Sequence, residues 1–386
     1  MSHTILLPRI MEIGHKSREK IPAILTSLGC KKPLIITDKI MVKLGYIDDI
    51  QNILKQENIE SDYFDDTIPE PTSRSIQAGV EYIRKHEFDS IIAVGGGSPI
   101  DSAKAMSILG KHGGEIKEYR FPRQVNESGL PIIAVPTTAG TGSEATKFTI
   151  ITDDESSEKL LCVGIGFMPV AAVVDYELTL SVPARTTADT GIDALTHAIE
   201  AYVSKKANLY SDAQAISAMR LIGPNLKQVY FHPDDEKARE AMMLGSTLAG
   251  IAFCNSSVAL VHGMSRPIGA FFHVPHGLSN AMLLPMITEF SIPSAPERYA
   301  DCAKAIGVAD INDDMDQANQ KLITALKEIN QALQVPTLAE FGADKKHFDD
   351  IVHTMAEQAL ASGSPGNNPR VPSVDEMVQL YQKLWN

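Results

Sequence analysis

The chain has 386 residues with a formal net charge of −13, 44% apolar and 22% charged, long enough for two domains that each bury a core. The acidic balance and the lack of any Lys/Arg cluster argue against nucleic acid or an anionic membrane as partner. Cys30, Cys162, Cys254 and Cys302 form no C-x-x-C pair, no apolar run reaches the length of a bilayer span, and no signal-peptide core opens the chain, so a soluble, reduced, cytoplasmic protein is expected.

Up to Val182, short β-branched runs alternate with amphipathic segments, the pattern of parallel strands joined by helices. Leu34–Thr37 is predicted as a strand with Asp38 at its carboxyl end, the edge where open α/β sheets bind ligands. Ser90–Val94 is a second strand and runs into G-G-G-S-P-I-D. Gly95, Gly96 and Gly97 allow close backbone approach to a ligand. Ser98 is expected as helix N-cap, with Pro99 at the first helical position and Asp101 three residues after the cap. Free N–H groups there would favour a phosphate, although a plain tight turn accounts for a glycine triplet equally well.

A third strand, Pro131–Val135, leads into P-T-T-A-G-T-G-S-E, where Thr137, Thr138 and Thr141 can donate to phosphate or ribose oxygens. Two such loops on one sheet point to a pyrophosphate, but G-x-G-x-x-G is absent, so a variant of the dinucleotide fold is expected. Phe148–Thr152 and Ala171–Val174 read as further strands, with Lys159 between them.

From Pro183 helical periodicity takes over, including Tyr210–Ile222, Glu236–Leu248, Met315–Leu333 and Phe348–Leu360. The expected division is an α/β domain over residues 1–182 and an all-helical domain over 183–386, with a cofactor and a metal side by side in the cleft between them. In T-G-I-D-A-L-T-H-A-I-E-A-Y, Asp193 and His197 stand at i and i+4, on one helical face, with Thr187 or Asp189 as the expected cap. In H-G-M-S-R-P-I-G-A-F-F-H-V-P-H-G, His262 and His276 flank an apolar run that a helix and a turn could fold so that both rings aim at one point. One Asp and three His make an oxygen and nitrogen donor set suited to Fe(II) or Zn(II).

Taken in order, these motifs, with N-P-R at Asn368–Arg370, resemble the iron-containing (group III) alcohol dehydrogenases over nearly the whole chain. The resemblance implies a dehydroquinate-synthase-like fold, with a Rossmann-like parallel sheet followed by a helical metal-binding domain. It also implies iron, or zinc in its place, on Asp193, His197, His262 and His276. NAD would lie against Gly95, Gly96, Gly97, Ser98, Asp101, Thr137, Thr138, Thr141 and Lys159. Asp38 matches the position near the adenine ribose, where a carboxylate accepts from the 2′-OH and repels a 2′-phosphate. Phe253 matches a position lining the substrate pocket. The implied reaction is reversible hydride transfer between NAD(H) and a small primary alcohol or aldehyde, such as a diol or hydroxy acid, in a homodimer or larger homo-oligomer.

Arg266 departs from the pattern, since many relatives carry a second histidine four residues after the first of this stretch. A guanidinium cannot accept a proton near neutral pH, so it either orients a polar substrate group or tethers backbone carbonyls. His273 is an unassigned third imidazole, open to a proton relay or to a supporting or packing role. Two rival readings stand beside the dehydrogenase: a metal- and NAD-dependent lyase like dehydroquinate synthase, and a non-catalytic NAD-binding protein.

Overall fold

The computed structural model describes residues 2–156 and 158–385. The chain divides into two compact units, Thr4–Val182 and a second that begins at Pro183.

The first unit contains strands β1 (Ile10–Ile13), β2 (Pro33–Ile36), β3 (Asp62–Phe64), β4 (Ser90–Gly95), β5 (Ile132–Pro136), β6 (Phe148–Thr152), β7 (Lys159–Val163) and β8 (Ala171–Val174). Its main helices are α1 (Ile21–Leu28), α2 (Lys39–Lys43), α3 (Tyr46–Gln56), α4 (Ser73–His86) and α5 (Gly97–His112). Six strands form a parallel sheet in the order β1-β8-β5-β4-β2-β3.

Successive side chains of a strand face opposite ways, and the central strands are apolar at nearly every position, so both faces must be covered. Leu34, Ile36, Ile91, Ala93, Ile132 and Ala134 pack with Ile76, Val80, Ile83 and Met106 of α4 and α5. Their neighbours Ile35, Ile92, Val94, Ile133 and Val135 pack with Ile21, Leu25, Ile47, Ile50 and Leu54 of α1 and α3. This doubly wound arrangement is the α/β class that the alternating pattern predicts.

Several local expectations are corrected. β1 and β3 are edge strands absent from the sequence reading, because four and three residues with exposed positions carry little periodic signal. β7 pairs antiparallel with β6 in a separate two-stranded sheet, since the connection over 153–158 is too short for a parallel crossover. Ser98 and Pro99 do not begin α5. Gly95 turns at φ +147° and Gly96 serves as the N-cap, so the helix starts at Gly97 and Asp101 lies inside it.

The second unit is helical: α6 (Ala184–Val203), α7 (Leu209–Phe231), α8 (Glu236–Cys254), α9 (Leu260–Phe272), α10 (His276–Ser291), α11 (Pro296–Ile306), α12 (Met315–Ala332), α13 (Leu338–Phe341), α14 (Lys345–Ala361) and α15 (Val374–Lys383). Pro183 is the N-cap of α6, so Thr187 and Asp189 sit within the helix and do not cap it. α7 continues nine residues past Ile222, through Pro224, because burial of Leu226 and Val229 outweighs the backbone bond that proline removes.

Candidate metal centre and nucleotide-binding edge

α6 presents Asp193, His197 and Glu200 at i, i+4 and i+7, and all three are buried. His262 lies in the first turn of α9 and His276 is the first residue of α10. Two glycines let these helix starts come close. A Cβ on Gly277 would stand 2.4 Å from the Asp189 carbonyl oxygen, so α10 rests its first turn directly on the α6 backbone. A Cβ on Gly263 would stand 2.6 Å from the Pro365 ring, which fixes α9 in the same way. Because backbone cannot yield as a flexible side chain can, Gly277→Ala is expected to shift His276 away from Asp193 and weaken metal affinity by about tenfold or more. A metal titration with unchanged affinity would contradict this packing role.

The geometry gathers three of the four expected ligands. Ligand atoms of Asp193, His262 and His276 lie within 4.8 Å of one another. Asp193 Oδ1 is 3.5 Å from His262 Nε2 and 3.8 Å from His276 Nε2. His197 stands alongside, its Nδ1 4.0 Å from Asp193 Oδ2 and its ring stacked on both His262 and Phe253 at 4.4 Å.

The surroundings determine which nitrogen each ring offers. Glu200 accepts from His262 Nδ1 at 2.6 Å and from the Val261 and Ala259 amides at 2.6 and 2.9 Å. Nδ1 therefore keeps its hydrogen, and Nε2 is left to bind a cation. Around His276, the Ser279 hydroxyl donates to the His276 carbonyl at 2.8 Å, which leaves its oxygen to accept from Ser265 at 2.7 Å. Ser265 can then accept from His276 Nδ1 at 3.3 Å, and again Nε2 faces inward. Both rings are thus oriented by a partner on the far nitrogen, as metal-ligating histidines are.

Three lone pairs therefore converge on one place. Asn280 Nδ2 lies there, 2.7 Å from Asp193 Oδ1, 3.2 Å from His262 Nε2 and 3.3 Å from His276 Nε2. An amide nitrogen has two hydrogens for these three acceptors, so the donor set fits a cation better than it fits the amide. The electrostatics agree. Burial alone would pull the His262 imidazolium down, but Glu200 and Asp193 outweigh it and push it up to about 9, so the place draws positive charge and a bound cation would replace the Nε2 proton. Burial alone would raise Asp193, yet His197, His276 and His262 hold it well below the usual carboxylate range. An oxygen and imidazole set of this kind suits Fe(II) or Zn(II).

The other expected residues of this unit fall differently. Phe253, near the end of α8, forms an apolar face against His197. His273 is exposed, adopts φ 55° and ends α9. No hydrogen-bond partner for its ring occurs among the described residues, so the packing role is not what the structure gives it. Arg266 is half-buried and donates to no backbone carbonyl among the described residues, so the tether reading gains no support. Glu200, Ser265, Ser279 and Asn280 were missed from sequence, although Glu200 continues the Asp193 and His197 spacing along α6.

In the first unit the carboxyl edge of the sheet collects the nucleotide candidates. β2 and β4 are neighbours, with β3 on one side and β5 on the other, so chain connections leave this pair in opposite directions, the arrangement that opens a ligand crevice. A Cβ on Gly97 would stand 2.9 Å from Thr141 Cγ2, and one on Gly96 would stand 3.4 Å from Thr138 Oγ1. The glycine turn after β4 and the Thr loop after β5 therefore share one surface. Thr137 is buried and bonds through its amide to the Gly95 carbonyl at 3.0 Å. Glu70 ties the rim together, donating its amide to Ser98 Oγ at 3.3 Å and accepting from Lys159 Nζ at 3.0 Å.

Asp38 caps α2, its Oδ1 accepting from the Ile40 and Met41 amides at 2.8 and 3.0 Å. Oδ2 has no protein donor among the described residues. Asp101 instead has both oxygens engaged, accepting from the Ser143 hydroxyl at 2.7 Å and the Ile150 amide at 3.0 Å, and burial pushes its pKa up. It braces the Thr loop from behind. Lys104, fully buried, does the same by donating to Ser143, Thr146 and the Phe148 carbonyl.

A doubly wound sheet with a phosphate-type edge, followed by helices that gather an Asp and His metal set, defines a metal-dependent nucleotide-using enzyme. Residues 8–176 match the iron-containing alcohol dehydrogenase family, and residues 187–385 match the C-terminal part of the Fe-containing alcohol dehydrogenase family. The chain belongs to the iron-containing alcohol dehydrogenases, whose cofactors are iron and NAD(H). It is 36% identical over 385 residues to the NADPH-dependent butanol dehydrogenase of Clostridium saccharobutylicum, covering 98% of this chain and 97% of that protein. It is 32% identical over 377 residues to the NAD-dependent methanol dehydrogenase of Bacillus methanolicus, covering 97% and 98%. The crystal structure of a 1,3-propanediol oxidoreductase superposes with a TM-score of 0.95 at 34% identity, covering 100% of both chains. The protein is an alcohol oxidoreductase, and the lyase and non-catalytic readings are not favoured.

Proposed function

We propose that this protein catalyses reversible hydride transfer between NAD(H) and a small primary alcohol or its aldehyde, at an iron held by Asp193, His197, His262 and His276. The observation that carries this reading is the convergence of Asp193 Oδ1, His262 Nε2 and His276 Nε2 on one point, with the far nitrogens of both rings already engaged. Bound iron supplies Lewis acidity toward the alcohol or carbonyl oxygen, and NAD(H) supplies the hydride acceptor or donor. The chain's own residues hold the charge and geometry. Asp193 stays ionised, Glu200 and Ser265 keep His262 and His276 aimed, and Phe253 offers an apolar wall beside His197 that suits a short carbon chain.

NAD is the preferred dinucleotide in this reading. Asp38 Oδ2 is available to accept from a ribose hydroxyl, and a 2′-phosphate at the same place would meet a carboxylate. Asp38→Gly is expected to improve use of NADP by about 1–3 kcal/mol. Glycine at the N-cap costs only a few tenths of a kcal/mol, so α2 should survive the change. Unchanged selectivity in paired kcat/KM measurements would remove this assignment. The four cysteines are all buried, and among the described residues no helix is long and apolar enough to cross a membrane. In this reading the chain works in the cytoplasm as a homodimer or larger homo-oligomer. The test of the reaction is turnover of C2 to C6 alcohols and aldehydes with each dinucleotide. Absence of turnover with metal-loaded protein across that panel would overturn it.

A further inference from the structure

Arg266 is a charge with no hydrogen-bonded or ion-pair partner among the described residues. It stands four residues after His262 on α9, so the two side chains leave the same face of the helix about 6 Å apart along its axis. The residue is half-buried, yet no carboxylate, carbonyl or hydroxyl among the described residues accepts from its guanidinium. Glu200 attracts it, but the oxygens of Glu200 are already taken by His262, Val261 and Ala259. Loss of water lowers the Arg266 pKa, against the attraction of Glu200.

A partly enclosed guanidinium with five N–H donors and no acceptor costs stability, and natural proteins pair such groups. The cost is offset when an oxyanion arrives, because planar carboxylate or sulfonate oxygens match the guanidinium fork. The nearby His262 Nε2, Asp193 Oδ1 and His276 Nε2 mark where the reacting oxygen would be held.

Resting on the dehydrogenase reading, we infer that the substrate is an alcohol or aldehyde carrying an oxyanion two to three carbons from the reacting carbon, which Arg266 binds. Phe253 packs on His197 at the same centre, so the carbon chain between the two ends has an apolar surface to follow. The side chain selects the substrate and takes no part in the proton transfer, since it remains charged near neutral pH.

The test uses the iron-loaded full-length chain with 4-oxobutanoate and butanal, two aldehydes of equal length that differ in the terminal carboxylate. The wild type is expected to favour 4-oxobutanoate in kcat/KM. Arg266→Ala should lower that ratio by about tenfold to a hundredfold, the range of a charged hydrogen bond, and Arg266→Lys should recover part of it. Equal losses on both aldehydes, a raised KM for the dinucleotide alone, or a fall in iron content would each overturn the inference. The second of these would assign the guanidinium to a cofactor phosphate. Calorimetric binding of butanoate to the iron-loaded protein provides a readout independent of turnover. If neither aldehyde is reduced, the dehydrogenase reading fails, while weaker butanoate binding in Arg266→Ala would still support the oxyanion site and unchanged binding would reject it.

Discussion

Glu200→Ala is expected to destabilise the protein by about 3–5 kcal/mol, the cost of breaking a buried charged pair and leaving its donors behind. The carboxylate accepts from three buried groups, His262 Nδ1 and the amides of Val261 and Ala259, and alanine replaces none of them. The start of α9 would lose its anchor to α6. His262 would also lose the partner that fixes its ring, so iron affinity should fall by about tenfold to a hundredfold in the protein that still folds. Glu200→Gln retains one acceptor oxygen and should lie between alanine and wild type. Denaturant unfolding monitored alongside iron titration separates the two effects, and a wild-type unfolding curve for Glu200→Ala would refute the anchoring role.

His262→Ala is expected to have the larger effect on function. It removes one of three convergent donors and leaves Asp193 facing fewer positive partners in a buried place. Bound iron should be lost under conditions that saturate the wild type. The alcohol-linked kcat/KM should drop by about a thousandfold, equivalent to roughly 4 kcal/mol of transition-state stabilisation. Iron content by elemental analysis and steady-state kinetics on the same sample check both statements. Full iron occupancy with full activity would show that His262 is not a ligand.

Much of this site is legible in the chain because helical spacing translates directly into a shared face. Asp193 and His197 are predicted as neighbours by i, i+4, and the same rule places Glu200 at i+7 on that face. Nothing local marks Asn280 or Ser265. Their roles arise only when α9 and α10 meet, since Ser265 contacts His276 across eleven residues of sequence and Asn280 contacts Asp193 across eighty-seven. The strands of the sheet centre are legible because nearly every position is apolar. β3 is not, because D-Y-F at a sheet edge resembles a loop.

The glycine turn shows a different limit. Ser98-Pro99 matches the preferred start of a helix, and local propensity places the cap there. Gly95 and Gly96 turn the chain earlier, and a Cβ at Gly95 would stand 2.5 Å from the Pro99 ring. Tertiary approach of the turn to Thr138 and Thr141 sets the helix start two residues before the propensity signal. Asp101 likewise carries the look of a ligand contact and spends its carboxylate on Ser143 and Ile150.

Iron held by Asp193, His197, His262 and His276 is what alcohol chemistry depends on in this reading. The most direct measurement is NADH oxidation by a short aldehyde before chelation, after complete removal of metal, and after return of Fe(II), with iron content determined at each stage. Activity should disappear with the metal and return in proportion to iron rebound. Undiminished turnover by the metal-free protein would contradict the account.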